Sequence, residues 1–567
     1  MNDTSRTQVL HGLGVGQGAA VGPAVRSHPA PSTAQLRADA APDTPLTSED
    51  VTAAYRQVGE DLAKRAQEAA GTVLADILQA TSAMAFDPEL AAAVTGRMAA
   101  GQTALAAVDA ATEEFVNLFT AAGGYLAERA TDLRSVRDRV TCRLLHLPEP
   151  GLPQLERPSV VVATDLAPAD TSALDLSKVL AIVLEQGGPT GHTAIIAGQL
   201  GIPCVVRAGT GELRELRDGT IVAVDAAAGT VVVEPDEATR TRIDVRVRSL
   251  HELAENRAPG RTRDHHPVEL LANIGTPDDA ERLDPNGVEG VGLFRTEVLF
   301  LGREKAPSRE EQALSYKRVL RALPGRKVVV RTLDAGADKP LSFIPREHEE
   351  NPALGVRGFR VGRTAPDVIE TQLDALAEAR TSSDSEPWVM APMIATPQEA
   401  ATFASMARGR GIQRAGVMIE VPAAAIHAAD ILREVDFVSI GTNDLAQYTM
   451  AADRLLGGLA DLLSPWQPAV LHSVAGVLRA AAAVGKPAGI CGESAADPLM
   501  ALVLTGLGAT SLSMAPGSMP TVRFVLARHT LAQCRHIADA ALAAANPTDA
   551  HDSVLRLVDP AALTLLR

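Results

Sequence analysis

The feature that most constrains this chain is an alternation repeated eight times. From His266 onward, short β-rich runs alternate with helix-compatible stretches: VELLANIG, GVGLFRTE, KVVVRTLD, PWVMAPMI, AGVMIEVP, DFVSIGTND, KPAGICGES and ATSLSM. Strands joined through helices pair in parallel, because each helical connection returns the chain to the same end of the sheet. Eight such units predict a (β/α)8 TIM-type barrel, which ordinarily takes roughly 250 residues plus insertions. An open doubly wound sheet is the alternative on pattern alone.

In a barrel of this kind, chemistry sits where the strands end. Those ends carry Arg295 and Glu297, Arg331 and Asp334, Glu420, Asn443 and Asp444, and Cys491 and Glu493, with Arg454 in a short loop after the sixth strand. Packing does not explain charge at so many neighbouring strand ends, since a buried charge costs several kcal/mol unless it is paired or bound. Arg295, Arg331 and Arg454 can fork onto phosphate or carboxylate oxygens. Glu420 and Asp444 are hard oxygen ligands suited to Mg²⁺, which takes one or two carboxylates plus substrate oxygens. The set describes a site for a small polyanion carrying phosphate. Cys491 reads either as a small buried hydrophobe or as a thiol whose pKa falls beside cations and which exchanges a proton.

The rest of the chain divides by texture. Residues 1–30 are rich in Gly and small residues and read as short strands. Residues 31–146 carry long Ala/Leu/Glu/Arg stretches with apolar residues three and four apart, which predicts an inserted bundle of about four helices. Residues 147–234 open with the breaker LPEPGLP and continue as a small α/β domain, completed by strands from residues 1–30. Residues 235–262 are charged and helix-compatible and read as a helical linker to the barrel of 263–567. GLGVGQG near the start lacks the spacing and the following βαβ pattern of a dinucleotide site.

Composition narrows the function classes. Of 567 residues, 53 are Lys or Arg and 69 Asp or Glu, a formal net charge of −16. That balance argues against coating nucleic acid or an anionic membrane. No apolar run approaches the roughly 20 residues of a membrane span, and no signal peptide is evident. Four scattered cysteines fit a reducing cytoplasm and exclude a CxxC motif.

His192 stands in EQGGPTGHTAIIAGQL, where Gly187, Gly188 and Gly191 make a tight turn after a strand and a helix follows. The backbone N–H groups of such a junction favour a nearby phosphate, yet a histidine there is as readily structural as catalytic.

Taken together, GGPTGHTAI, GLFRTEVLF, RTLDAGADKP, NPALGVRGFR, GVMIEVPAA, DFVSIGTNDLAQYTMAADR and GICGESAAD resemble, in order, the motifs of enzyme I of the bacterial sugar phosphotransferase system. DPEL and YLAERATDLRSVRDRV in the helical insert are similar to it as well. The resemblance spans essentially the whole chain. It implies a swivelling phosphohistidine α/β domain with an inserted helical domain, a helical linker and a barrel. His192 would accept the phosphoryl group of phosphoenolpyruvate. Arg295, Arg331, Asn443, Asp444 and Arg454 would bind the substrate. Glu420 and Asp444 would ligate Mg²⁺, and Cys491 would protonate the enolate to pyruvate. The insert would dock the histidine phosphocarrier protein HPr, and the barrel would form a homodimer. One histidine serving two partners implies a large swing of its domain.

Three positions depart from the family pattern. Gly191 replaces a serine, Gly198 an arginine, and Ala167 a threonine that supports the histidine. All three surround His192, so the alternative reading is a catalytically weak phosphoenolpyruvate-binding regulator or scaffold. Pyruvate phosphate dikinases share the swivelling histidine and barrel, but they need a nucleotide-binding domain for which the residues before His192 are too few and too helical.

Overall fold

The computed structural model describes residues 8–16, 18–28, 31, 45–68, 73–122, 124–151, 153, 155–164, 166, 175–188, 193–194, 197–198, 201–209, 211–301, 303, 305–335, 341, 343–344, 349–381, 385–454, 459 and 461–566. The chain forms two compact units. Met1–Val15, Ala19–Ala197 and Ile202–Asp244 make the first, and Gly16–Gly18, Gly198–Gly201 and Val245–Arg567 the second.

The first unit holds an eight-stranded sheet built from both flanks of the helical insert. Strands β1 (Gln8–His11), β2 (Leu13–Val15) and β3 (Ala19–Arg26) precede the insert. Strands β4 (Ser159–Ala163), β5 (Val179–Leu184), β6 (Cys204–Val206), β7 (Ile221–Asp225) and β8 (Thr230–Val233) follow it. Their order is β1-β8-β7-β3-β4-β5-β6-β2. The parallel pairing of β3 with β4 brings Ala24 opposite Val160 and stitches the segments before and after the insert together.

The insert contains five helices among the described residues, one more than expected: α1 (Ser48–Glu68), α2 (Val73–Ala85), α3 (Pro88–Ala99), α4 (Ala104–Ala122) and α5 (Gly124–Leu144). The difference arises at Asp87-Pro88. Proline starts α3, where its missing N–H is not needed, and the Asp87 carboxylate accepts from the N–H groups of Glu89 and Leu90. A sixth helix, α6 (Glu237–Ala254), occupies most of the stretch read as a linker.

The second unit is a closed parallel barrel. All eight β-rich runs become its strands: β9 (Glu269–Ile274), β10 (Gly290–Arg295), β11 (Lys327–Arg331), β12 (Pro387–Ala391), β13 (Arg414–Ile419), β14 (Phe437–Ile440), β15 (Ala488–Ile490) and β16 (Ser511–Met514), with β16 pairing back onto β9. Alternation within each strand separates two cores. Phe294, Val328, Val330, Val389, Val417 and Ile419 face outward into the strand–helix layer. Leu293, Val329, Met390, Met418, Phe437 and Cys491 fill the interior. Among the described residues no helix is long and apolar enough to cross a membrane.

Candidate active site

The period of two that sorts the cores also aims the chemistry. If Leu293, Val329, Met418 and Cys491 face the barrel interior, then so do Arg295, Arg331 and Glu420, two residues further along their strands. Arg295 and Arg331 are direct partners in the parallel register of β10 and β11. They lie side by side at the barrel mouth.

A network of buried charges surrounds them. Arg331 donates to Glu297 at 2.6 Å and pairs with Asp334 at 3.1 Å, with every side chain less than a tenth exposed. Arg357 pairs with Asp334 and with Asp444, each at 3.0 Å, and donates to the Tyr448 hydroxyl at 3.2 Å. Arg454 stands 3.7 Å from Asp444. Burial alone works against charge on Arg331, but Glu297, Asp334 and Glu420 outweigh it and raise its pKa. The same balance, with Asp334 and Asp444 as partners, raises that of Arg357. Both guanidiniums are held charged.

Two atoms are left over. Among the described residues, Arg331 Nε and Glu420 Oε2 are buried without a hydrogen-bond partner. At a charged strand-end mouth such atoms are positioned to be completed by a ligand, ion or water. Glu420 is fully buried, and its other oxygen accepts the Met393 N–H at 2.7 Å. Burial, with the nearby charge of Asp444, pushes its carboxyl up to about 8. A divalent cation would reverse that shift. Among the described residues no cluster of three or more His, Cys, Asp or Glu could hold a metal. The unpartnered Glu420 Oε2, with Asp444 near it, is a hard oxygen donor of the kind that suits an ion completing its shell with substrate and water oxygens, as Mg²⁺ does.

Cys491 lies in the barrel interior, 3% exposed, with its sulfur 3.5 Å from the Ile440 carbonyl. The expectation that neighbouring cations depress its pKa is corrected. Burial, and the charge of Glu420, raise the thiol to about 11, overriding Arg295 and Arg331. It stays protonated at neutral pH and can give a proton. Asn443 Oδ1 accepts the Glu493 N–H at 3.1 Å, tying the end of β14 to that of β15. Gly492 permits this closeness, because a Cβ there would run into the Thr442 hydroxyl. Arg454 does not follow a short loop. The nine-residue helix Thr442–Met450 intervenes and ends at Ala451 with φ 50°.

The mouth thus brings together Arg295, Arg331, Glu420, Asn443, Asp444, Arg454 and Cys491 from the sequence expectation. Arg357 joins them unannounced. It sits in the long connection after β11, just before Gly358, whose φ of 58° turns the chain back toward Met393. The run VRGFR carried that signal. His192, Gly191 and Ala167 lie outside the described residues. Next to His192, Thr193 is buried and donates to the Leu166 carbonyl at 3.2 Å.

The chain is similar to known proteins along most of its length. Residues 251–531 match the PEP-binding domain of PEP-utilising enzymes, 155–229 their mobile domain, and 11–129 their N-terminal domain. The chain is 48% identical over 546 residues to a phosphoenolpyruvate-protein phosphotransferase of Streptomyces coelicolor, covering 96% of each chain. It is 39% identical to one of Haloferax volcanii, over 88% of this chain and 89% of the relative. With one of Bacillus subtilis the identity is 36%, over 91% and 94%. With its three domains matched in order and a relative 48% identical over 96% of its length, the chain belongs to the phosphoenolpyruvate-protein phosphotransferase family.

Proposed function

We propose that this protein transfers the phosphoryl group of phosphoenolpyruvate to its own His192 and then to a histidine phosphocarrier protein, releasing pyruvate. This is the first step of sugar uptake by the phosphotransferase system. The observation that carries the reading is the barrel mouth, where arginines held charged in a dry setting leave one donor, Arg331 Nε, and one acceptor, Glu420 Oε2, unsatisfied. A dianionic phosphate with a carboxylate beside it accepts from Arg331 Nε, and a bound cation would complete Glu420 Oε2.

In this reading Arg295, Arg331 and Arg454, with Asn443, hold the phosphate and carboxylate oxygens. Phosphoryl transfer is largely positioning and charge stabilisation, so fixed guanidiniums are the right equipment. Glu420 and Asp444 would hold Mg²⁺, which when bound neutralises charge on the phosphate. Cys491, protonated by burial, gives its proton to the methylene carbon as the enolate becomes pyruvate. His192 attacks through a neutral ring nitrogen. The helical insert, residues 31–146, docks the phosphocarrier, and residues 235–262 are the linker about which the histidine domain moves between its two partners. The protein acts in the cytoplasm as a homodimer joined through residues 263–567.

The test is incubation with ³²P-labelled phosphoenolpyruvate and Mg²⁺. Acid-labile label on the wild-type chain, absent from His192→Ala and chased onto HPr, is expected. Tight phosphoenolpyruvate binding without label would instead support the regulator suggested by Gly191, Gly198 and Ala167. A disulfide or crosslink holding the histidine domain against the barrel is expected to stop transfer to HPr. Unimpaired transfer would end the swing.

A further inference from the structure

Behind the two arginine-bearing strand ends lies a buried polar network that the proposed reaction does not use. Its centre is Gln372, on the helix Pro366–Arg380, with none of its surface exposed. Gln372 Oε1 accepts the Leu333 N–H at 2.8 Å. Its Nε2 donates to Thr296 Oγ1 at 3.1 Å and to the Tyr316 hydroxyl at 2.9 Å. Thr296 Oγ1 donates onward to the Arg331 carbonyl at 2.9 Å. The Tyr316 hydroxyl donates to Gln312 Oε1 at 3.2 Å, and Gln312 Nε2 to the Pro307 carbonyl at 3.0 Å. The Leu333 N–H can only donate, so the amide has a single workable orientation.

The sequence positions of these partners matter. Thr296 stands between Arg295 and Glu297, and Leu333 between Arg331 and Asp334. One side chain therefore holds the Thr296 hydroxyl just after Arg295 and the Leu333 N–H just after Arg331, beyond the ends of strands whose register sets the two arginines side by side. For stability alone a wholly apolar set of the same shape would serve nearly as well, since replacing all the partners of a buried hydrogen-bonded set together is close to neutral. We infer that Gln372 is a positioning residue for phosphoenolpyruvate, setting the spacing of Arg295 and Arg331 through Thr296 and Leu333.

This rests on the function proposed above, and the experiment separates the two. In the full-length protein, Gln372→Met, Gln372→Glu, Tyr316→Phe and a control in the outer core, Leu478→Ala, are compared for Tm and for kcat and KM of self-phosphorylation by phosphoenolpyruvate. Loss of outer-shell support typically weakens a site about 10- to 100-fold. Gln372→Met is expected to raise KM about tenfold. Gln372→Glu, which keeps the acceptor and one donor while protonated, should fall between it and wild type. Tyr316→Phe, which leaves both strand-end contacts in place, should change KM about twofold. Leu478→Ala should lower Tm and leave KM unchanged. The inference is overturned if Gln372→Met and Gln372→Glu move KM no more than Leu478→Ala does. If Gln372→Met does not fold, Gln372→Glu and Tyr316→Phe decide the matter by the same comparison. Absence of self-phosphorylation in the wild type would overturn the proposed function itself.

Discussion

Strand β11 runs from Lys327 to Arg331, a cation at each end, and the two ends live under different rules. At the floor of the barrel, Lys327 pairs with Glu269 at 2.9 Å, and Glu269 is nearly half exposed. Its ammonium also lies 4.3 Å over the Trp388 ring, whose partner Phe437 is 4.9 Å away. At the mouth, Arg331, Glu297 and Asp334 are shut away from water, and Arg331 Nε has no partner. The pair at the floor is satisfied and reaches water through Glu269, and it contributes modestly to stability. Arg331 at the mouth is held charged away from water by its carboxylate partners, with its Nε still open to a bound anion. The difference teaches which end binds and which end merely holds.

Breaking the mouth should have the largest effect. Arg331→Met is expected to lower phosphoenolpyruvate-dependent labelling by about 10²–10³-fold, the usual loss when a fixed donor to developing charge is removed. A loss below tenfold in the same labelling assay would make the mouth no more functional than the floor. Cys491→Ala should slow pyruvate release, followed by coupled oxidation of NADH, by about 10²-fold. Because burial holds the thiol near 11, the wild-type rate should show no thiol titration between about pH 6 and 9. A Cys491-dependent fall within that range would contradict the placement.

Floor variants should move stability and spare the chemistry. His529 is buried, its Nδ1–H donating to the Val525 carbonyl at 2.8 Å and its Nε2 accepting the Asp559 N–H at 3.0 Å. Burial lowers its pKa. The folded state thus prefers the neutral ring, a contribution complete above the free value of about 6.5 and lost as pH falls below it. Thermal melts from pH 7 to 5 should fall less steeply for His529→Gln than for wild type, with KM for phosphoenolpyruvate at pH 7.5 unchanged. The smallest effect is expected from Lys327→Met, within about 1 kcal/mol in denaturant melts and with activity intact.

Much of this was legible from periodicity. Eight β-rich runs announced the barrel, and the rule that chemistry sits at its strand ends singled out Arg295, Arg331, Glu420 and Cys491. What escaped detection depends on distance along the chain or on dielectric. Arg357 and Gln372 come from a connection and a helix, where no strand-end rule applies, and only folding brings them beneath the mouth. The sign of the Cys491 shift was misjudged because residue type shows neighbouring cations but not the exclusion of water. The insert gained a helix because Asp87-Pro88 is a start signal hidden in an otherwise continuous apolar pattern. The role of His192 rests on its motif.

Strand β10 carries one residue more than its neighbours require. Its pairing shifts between Val291 and Phe294 against β11, and between Val291 and Leu293 against β9. Val291 and Phe294 both face the outer core, so Gly292 and Leu293 together face inward. Only glycine fits the extra place, since a Cβ would come within 2.5 Å of Ser513 Oγ and 2.9 Å of Leu271 Cβ. Counted without the bulge, every odd position from Val291 would point outward, Arg295 among them. Deleting Gly292 would preserve each residue named in the site and still disarm it, by turning one guanidinium out of the barrel. Recognition of the anion is written in the length of a strand as much as in the identity of its residues.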